Sequence, residues 1–326
     1  MILMIVILTA VFLALNMGIS GFSISFAPSF GSGVLGKNKA ALLYGVCVVA
    51  GSCLIGPRVA ETLAGKISSS GFGIVSGVII LTSCAATMFA SNLLKVPQST
   101  SFVTVASFVG AGLYAGDVNW HTVERILLFA VLFSLVSFTI TVLIKRMVYP
   151  PQRGNLRFYE KFFVHREKFR KFVVFHDMYA GFSVGTNNVA NVVAPLLLGS
   201  FGMSDLFWFL AISPLFGLGA YWGGERVINS VSRDIIPVGE FSASVVSFIT
   251  ATFVLIASFL GLPTPYVQFT TFSLLGISCV KDGFRRTAEK SIVRRILWVW
   301  FLVPVFTGAL SYGLHSVLGS FVNIHH

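Results

Sequence analysis

From Ile126 to Ile144 the chain reads ILLFAVLFSLVSFTITVLI, without one charged residue. A helix needs roughly 20 mainly apolar residues to cross a bilayer, and hydrocarbon admits only segments that satisfy their own backbone hydrogen bonds. Comparable runs recur: MILMIVILTAVFLAL at Met1, ALLYGVCVVAGSCLI at Ala41, FGIVSGVIILTSCAATMFA at Phe72, LFWFLAISPLFGLGAYW at Leu206, FSASVVSFITATFVLIASFL at Phe241 and ILWVWFLVPVFTGALSYGL at Ile296. Charged residues make up 11% of the 326, against about 25% in a soluble domain. The expected fold class is an all-α polytopic membrane protein. The first run has no basic leader and no small-residue cleavage site, so it reads as a retained span.

The formal charge of +11 is concentrated. Lys145, Arg146, Arg153, Arg157, Lys161, Arg166, Lys168, Arg170 and Lys171 crowd one central segment, and Arg285, Arg286, Lys290, Arg294 and Arg295 crowd another. Short basic loops between spans mark the cytoplasmic side. The charge therefore reports orientation toward the lipid bilayer, and no nucleic-acid partner is expected. Cys47, Cys53, Cys84 and Cys279 lie in apolar runs without a CxxC pair and read as small core residues. No HExxH, paired catalytic carboxylates or Gly-rich nucleotide loop occurs, so neither an enzyme nor a cofactor or metal is expected.

Pro150, Pro151 and Gly154 interrupt the central basic segment, and a half of similar size lies on each side. An offset of 167 places Gly18, Ala27 and Pro28 on Gly185, Ala194 and Pro195. One residue more places Gly56, Arg58 and Val59 on Gly224, Arg226 and Val227, and VPQSTSFVTVASFVGAG from Val96 answers LPTPYVQFTTFSLLGIS from Leu262. The chain divides into a first transmembrane repeat (1–147), a basic cytoplasmic linker (148–173) and a second transmembrane repeat (174–326). With both basic segments inside, the last run leaves the C-terminus outside and the second half crosses an odd number of times. A matching first half is then inverted, the common construction of secondary transporters with broken helices near the midplane.

Two polar frames interrupt the apolar runs. In GTNNVANVVAP, Gly185 is expected to break one helix and Asn187 to open the next; in GISGFSISFAP, Gly18, Ser20 and Gly21 take the same places. Exposed helix N-termini offer unpaired N–H donors that suit a small anion. Two Pro-flanked polar steps extend the pattern: Gln98, Ser99, Thr100 and Ser101 after Pro97, and Gln268, Thr270 and Thr271 after Pro263 and Pro265. Both fit the tips of re-entrant hairpins. The competing reading is that these hydroxyls bond carbonyls of their own helices. Candidate anion-binding residues are Ser20, Gly21, Ser23, Gln98, Ser99, Thr100, Asn187, Asn188, Asn191, Gln268, Thr270 and Thr271.

The repeated frame, the GxRV landmark and the P-x-S-T cluster resemble the PiT-type inorganic phosphate transporters over nearly the whole chain. Members carry Gly-x-Asn-Asp-x-Ala-Asn once per half. Gly185, Asn187, Val189, Ala190 and Asn191 fit it, while Asn188 stands in place of the aspartate; in the first half Ser20 and Gly21 replace the Asn-Asp pair. Loss of both carboxylates resembles the bacterial sulfate permease branch. Phosphate carries a proton that a carboxylate can accept, whereas sulfate carries none and meets only repulsion. The expected function is import of sulfate across a bacterial inner membrane by alternating access, with phosphate or bicarbonate transport, or a passive anion channel, as the alternatives. Pairing into a homodimer is compatible with such a carrier, and no residue specifies it.

The resemblance also implies a cation symporter. Without the signature aspartates, H+ rather than Na+ is the expected coupling cation. An ionisable group in a membrane segment is a functional candidate by default, which selects Asp177, Glu225 and Glu61. Glu225 beside Arg226, and Glu61 three residues from Arg58, also read as ion pairs at helix ends. His176 beside Asp177 extends that site toward a proton relay.

Overall fold

The computed structural model describes residues 2–69, 71–93, 98–150, 155–156, 160, 164–199, 201–224 and 240–322. The described chain is helical: α1 (Ile2–Ser25), α2 (Ala27–Gly31), α3 (Lys37–Gly65), α4 (Ile74–Leu93), α5 (Thr100–Ala115), α6 (Trp120–Val148), α7 (Arg166–Leu197), α8 (Asp205–Gly219) followed by a π-helical turn (Ala220–Gly224), α9 (Glu240–Phe259), α10 (Tyr266–Asp282), α11 (Phe284–Glu289) and α12 (Ser291–Val322). Seven of these, α1, α3, α4, α6, α8 with its π turn, α9 and α12, are long and apolar enough to cross a membrane.

The spans are built inside out relative to a soluble helix. On α6 the buried stripe is Ala130, Phe133, Ser134, Ser137 and Thr141, while Leu127, Leu128, Val131, Leu132 and Leu135 are exposed. The spacing is that of an ordinary helical face, but the leucines point to where lipid would lie and the small hydroxyl residues face protein. Polar caps close several ends. Ser99 accepts from the Phe102 N–H at the start of α5, Asn119 from Thr122 at α6 and Ser204 from Phe207 at α8.

α7 is the exception to the apolar rule, and its position explains why. Every residue from Ser183 to Leu196 is buried. Wrapped by α1, α3, α4, α5, α8 and α9, the helix meets no lipid along this stretch and can carry amides that hydrocarbon would reject.

The frame glycines correct a sequence expectation. α1 runs unbroken through Gly18, Ser20 and Gly21 and stops at Phe26; α7 runs unbroken through Gly185 and Asn187, and Pro195 falls in its last turn. Neither helix breaks at its glycine. The glycines are there for close approach instead: a Cβ on Gly18 would overlap the Phe216 carbonyl of α8, and one on Gly185 would overlap the Val48 carbonyl of α3. Gly18 and Gly185 differ by 167, and Val48 and Phe216 by 168. A second exchange follows the same offsets, since Gly51 of α3 meets the Phe182 carbonyl of α7 while Gly219 of α8 meets the Leu15 carbonyl of α1. Contacts that swap partners under offsets of 167 and 168 are what a two-fold relation between halves produces. The signature helix of each half thus lies against the following span of the other.

Two helical hairpins complete the arrangement. The base of α4–α5 is closed by Ser68 Oγ donating to Asp117 Oδ2 (2.9 Å) and the Asn119 N–H donating to the Ile67 carbonyl (2.8 Å). α5 packs on α12, where Gly110 meets the Gly308 carbonyl, and α10 packs on α6, where Gly276 faces the Phe138 carbonyl. Each hairpin's second helix is therefore held by the other half's last span. At the basic end of α10, Lys290 Nζ lies 2.6 Å from Asp282 Oδ2, and this ammonium holds the exposed carboxyl below the usual range.

Candidate functional site

The polar centre lies where α7 meets the tips of both hairpins. Asn187 is fully buried. Its Oδ1 accepts the Thr264 N–H (3.0 Å), and its Nδ2 lies 2.9 Å from both the Thr264 carbonyl and Ser101 Oγ. Pro263 and Pro265 have no N–H, so Thr264 is the sole backbone donor of that step. Its N–H and C=O are both held by one amide. Asn191, one turn on, places Nδ2 3.1 Å from Ser101 Oγ and 3.5 Å from Thr100 Oγ1. The asparagines thus tie α7 to the first-half hairpin at Thr100–Ser101 and to the second-half hairpin at Thr264.

The backbone fixes one amide and, through it, another. A backbone N–H can only donate, so the Asn187 atom facing the Thr264 N–H is oxygen and its NH2 faces Asn188. The Asn188 atom 3.1 Å away is therefore Oδ1, the acceptor. Asn188 consequently turns its own NH2 away from Asn187. An aspartate in its place would keep the contact with Asn187 and present a second acceptor there; asparagine presents donors.

Several buried polar atoms beside this network have no hydrogen-bond partner: both amide atoms of Gln98, Asn191 Oδ1 and Thr264 Oγ1. Buried polar groups in native proteins are nearly always paired, so these atoms, on α7 and at the two hairpin tips, keep hydrogen-bonding capacity that the protein itself does not use. Ser99 contributes as the cap of α5, whose first N–H groups have no acceptor within the helix. The site is neutral, with amides, hydroxyls and backbone N–H groups as its chemistry.

Other expected residues are placed elsewhere or turned inward. Ser20 Oγ donates to the Met17 carbonyl (3.0 Å) and Ser23 Oγ to the Ser20 carbonyl (2.7 Å). Thr270 and Thr271 bond the Tyr266 and Val267 carbonyls of their own helix. For these four the helix-internal reading holds. Gly21 lies against the Tyr44 hydroxyl and Val184 rather than beside the asparagines, and Gln268 is buried in the first turn of α10. The first-half frame is thus the less polar of the two, with Ile24 at the place of Asn191. Thr264 was missed by the sequence reading, although a residue between two prolines is conspicuous as a lone donor.

Among the coupling candidates, Glu225 lies outside the described residues. Glu61 is corrected: it is 66% exposed and pairs with Lys66 at 2.9 Å, not with Arg58, whose guanidinium donates to the Phe259 carbonyl. Exposed pairs contribute about 0–1 kcal/mol. Glu61→Gln is expected to leave cation-driven uptake within the scatter of the parent protein in a vesicle assay. Asp177 is the buried candidate, with 0% exposure on α7. Its neighbour His176 directs Nδ1 to the Phe172 carbonyl (2.7 Å) and packs its ring on Phe172 and Phe248, so it forms no relay with Asp177 through that nitrogen.

Comparison with known proteins agrees with this architecture. The phosphate transporter family matches residues 17–311. The sulfate permease CysP of Bacillus subtilis is 32% identical over 318 residues, covering 95% of this chain and 86% of the relative. The sodium-dependent phosphate transporter 2 of Xenopus laevis is 24% identical over 185 residues, 52% of this chain and 28% of that protein. A solved structure described as the sodium-dependent phosphate transporter superposes with a TM-score of 0.79 at 21% identity, covering 98% of this chain and 99% of its own, and so shares the fold. With seven apolar spans among the described residues, a buried polar helix and this match across most of its length, the chain is a multi-pass membrane transporter, not an enzyme, and belongs to the phosphate transporter family.

Proposed function

We propose that this transporter imports sulfate across the cell membrane as a proton-coupled symporter. The observation that carries the substrate is the orientation of Asn188. Its Oδ1 accepts from Asn187, so its NH2 is directed elsewhere, at one of the two positions where the family resemblance implies a carboxylate; the other is Gly21. A dianion without a proton has only lone pairs to offer, and the NH2 of Asn188 matches it; at that position a protonated phosphate would leave its O–H facing a donor. One unmatched buried polar contact is worth about 1–3 kcal/mol. The name of the 32% identical relative supports the same substrate, while the family's own name supports phosphate as the alternative.

Alternating access follows from the interlocked halves. The two hairpins meet α7 at a shared point, and each is braced on the other half's last span. Entering the bilayer from opposite sides, they would expose the anion to each side in turn as the halves rock about the glycine contacts.

The test is uptake of labelled sulfate into proteoliposomes, competed by phosphate, bicarbonate, molybdate and thiosulfate. Sulfate uptake that phosphate does not displace is expected; preferential phosphate uptake overturns the substrate, and anion current independent of any cation gradient overturns symport in favour of a channel. Asn188→Asp is expected to weaken sulfate uptake by about tenfold or more and to raise phosphate competition, since it replaces donors with a charged acceptor. Unchanged sulfate affinity in that variant would remove Asn188 from the site.

A further inference from the structure

Asp177 lies ten residues before Asn187, about 15 Å along the same helix, and takes no part in the anion site. Its Oδ2 accepts the Ser29 N–H of α2 at 2.8 Å. Its Oδ1 is buried without a partner, as are Ser29 Oγ, Tyr44 OH and Tyr266 OH. The Ser29 side chain lies beside the carboxyl group; Tyr266 is within electrostatic reach of it, with its own hydroxyl beside Thr250, Ser247 and Ser183, and Tyr44 is within reach of Tyr266. Three hydroxyls, from α2, α3 and α10, therefore gather near one acidic group whose own Oδ1 is unpartnered.

No basic side chain balances it among the described residues. α1, α2 and the part of α9 after Glu240 carry no ionisable group. α3 presents Tyr44, while its Lys37 lies over the Tyr221 ring at 5.1 Å. α10 presents Tyr266. On α4 Cys84 is turned to Val103 and Thr104, on α5 Tyr114 packs on His315, and α8 has Asp205 in its first turn. On α7 itself His176 is turned to Phe172, and Tyr179 hydrogen-bonds Thr252 at 3.1 Å. A carboxylate held by one N–H in such surroundings is expensive unless a cation neutralises it.

We propose that Asp177 binds the coupling proton, and that its bond to Ser29 makes proton occupancy control how α7 of the second half holds α2 of the first. The inference rests on the symport reading above and adds the residue that carries it. As a carboxylate, Asp177 holds the Ser29 N–H by a charge-assisted bond, about twice as strong as a neutral one. A proton arriving from water on the entry side forms an O–H bond on Oδ1, leaves a neutral acid that can donate to a neighbouring hydroxyl, and weakens the tie to α2. Release to water on the other side restores the charge and the bond. Asn187 and Asp177 share one continuous helix, so the anion and the proton act on the same rigid body from different levels.

The experiment compares net accumulation with exchange in proteoliposomes, using labelled sulfate and an internal pH dye. Each co-transported proton supports about tenfold accumulation per unit of pH gradient. Asp177→Asn is expected to lose that accumulation and the accompanying acidification, while exchange of labelled against unlabelled sulfate persists. Accumulation equal to the parent protein, or joint loss of exchange and accumulation in a variant of unchanged thermal stability, overturns the proposal. If the asparagine variant fails to reconstitute, Asp177→Glu decides: accumulation with its pH profile displaced supports it, and a superimposable profile overturns it. Accumulation in the parent driven by a sodium gradient alone overturns the proton assignment. Absence of sulfate exchange in the parent is a failure of the substrate reading instead, and the same comparison run with labelled phosphate then decides Asp177.

Discussion

Asn187→Ala is expected to abolish transport and to destabilise the fold by about 1–3 kcal/mol, because it strands the buried Thr264 N–H, while the Thr264 carbonyl keeps the Tyr266 N–H and Ser101 Oγ keeps Asn191 Nδ2. The bonds of Asn187 are the ties that hold both hairpin tips to α7. Asn188→Ala is the contrasting variant. Its neighbour loses one acceptor at 3.1 Å but keeps Ser101 and the Thr264 carbonyl, so transport should suffer far more than stability. Thermal unfolding in detergent, followed by labelling of the four free cysteines, reads one effect, and vesicle uptake reads the other. Equal thermal losses in the two variants would mean that Asn187 is not the structural tie.

The contrast also shows which parts of the site sequence could reveal. The fold class was legible because hydrocarbon leaves so few choices: runs such as Ile126–Ile144 have no alternative to a spanning helix. The asparagines were legible as misfits in an apolar segment. Helix breaks were not legible. Gly18 and Gly185 look like breakers in one dimension, yet their lack of a Cβ is used for backbone contact with α8 and α3, a reason that exists only once the other half is in place. The same blindness applies to hydroxyls. Ser20, Ser23, Thr270 and Thr271 resemble site donors until their protons are found on carbonyls three or four residues back. Asp177 could be chosen by its burial-prone surroundings, but its partner Ser29 is 148 residues away, beyond any local signal.

Gly51→Ala and Gly219→Ala should be among the most damaging single-methyl additions to the described residues, and they should damage the protein alike. A Cβ on Gly51 overlaps the Phe182 carbonyl of α7, and one on Gly219 overlaps the Leu15 carbonyl of α1. Neither carbonyl can rotate away as a side-chain tip could, so the helices must separate. Overpacking of this kind costs about 1–3 kcal/mol, against roughly 1 kcal/mol gained from alanine's better helix propensity. Separation also opens the crossing on which the halves would rock, so uptake should fall further than stability. Gly65, at the end of α3 with open space where its Cβ would point, is the control: Gly65→Ala should be neutral or slightly stabilising. The equality of the first two variants is the informative part. Gly51 and Gly219 are exchanged by an offset of 168 and Leu15 and Phe182 by one of 167, so a two-fold relation requires both contacts to bear comparable load. A silent Gly219→Ala beside a damaging Gly51→Ala would mean that the halves share a sequence pattern but not a mechanical role, and the rocking motion would lose its basis.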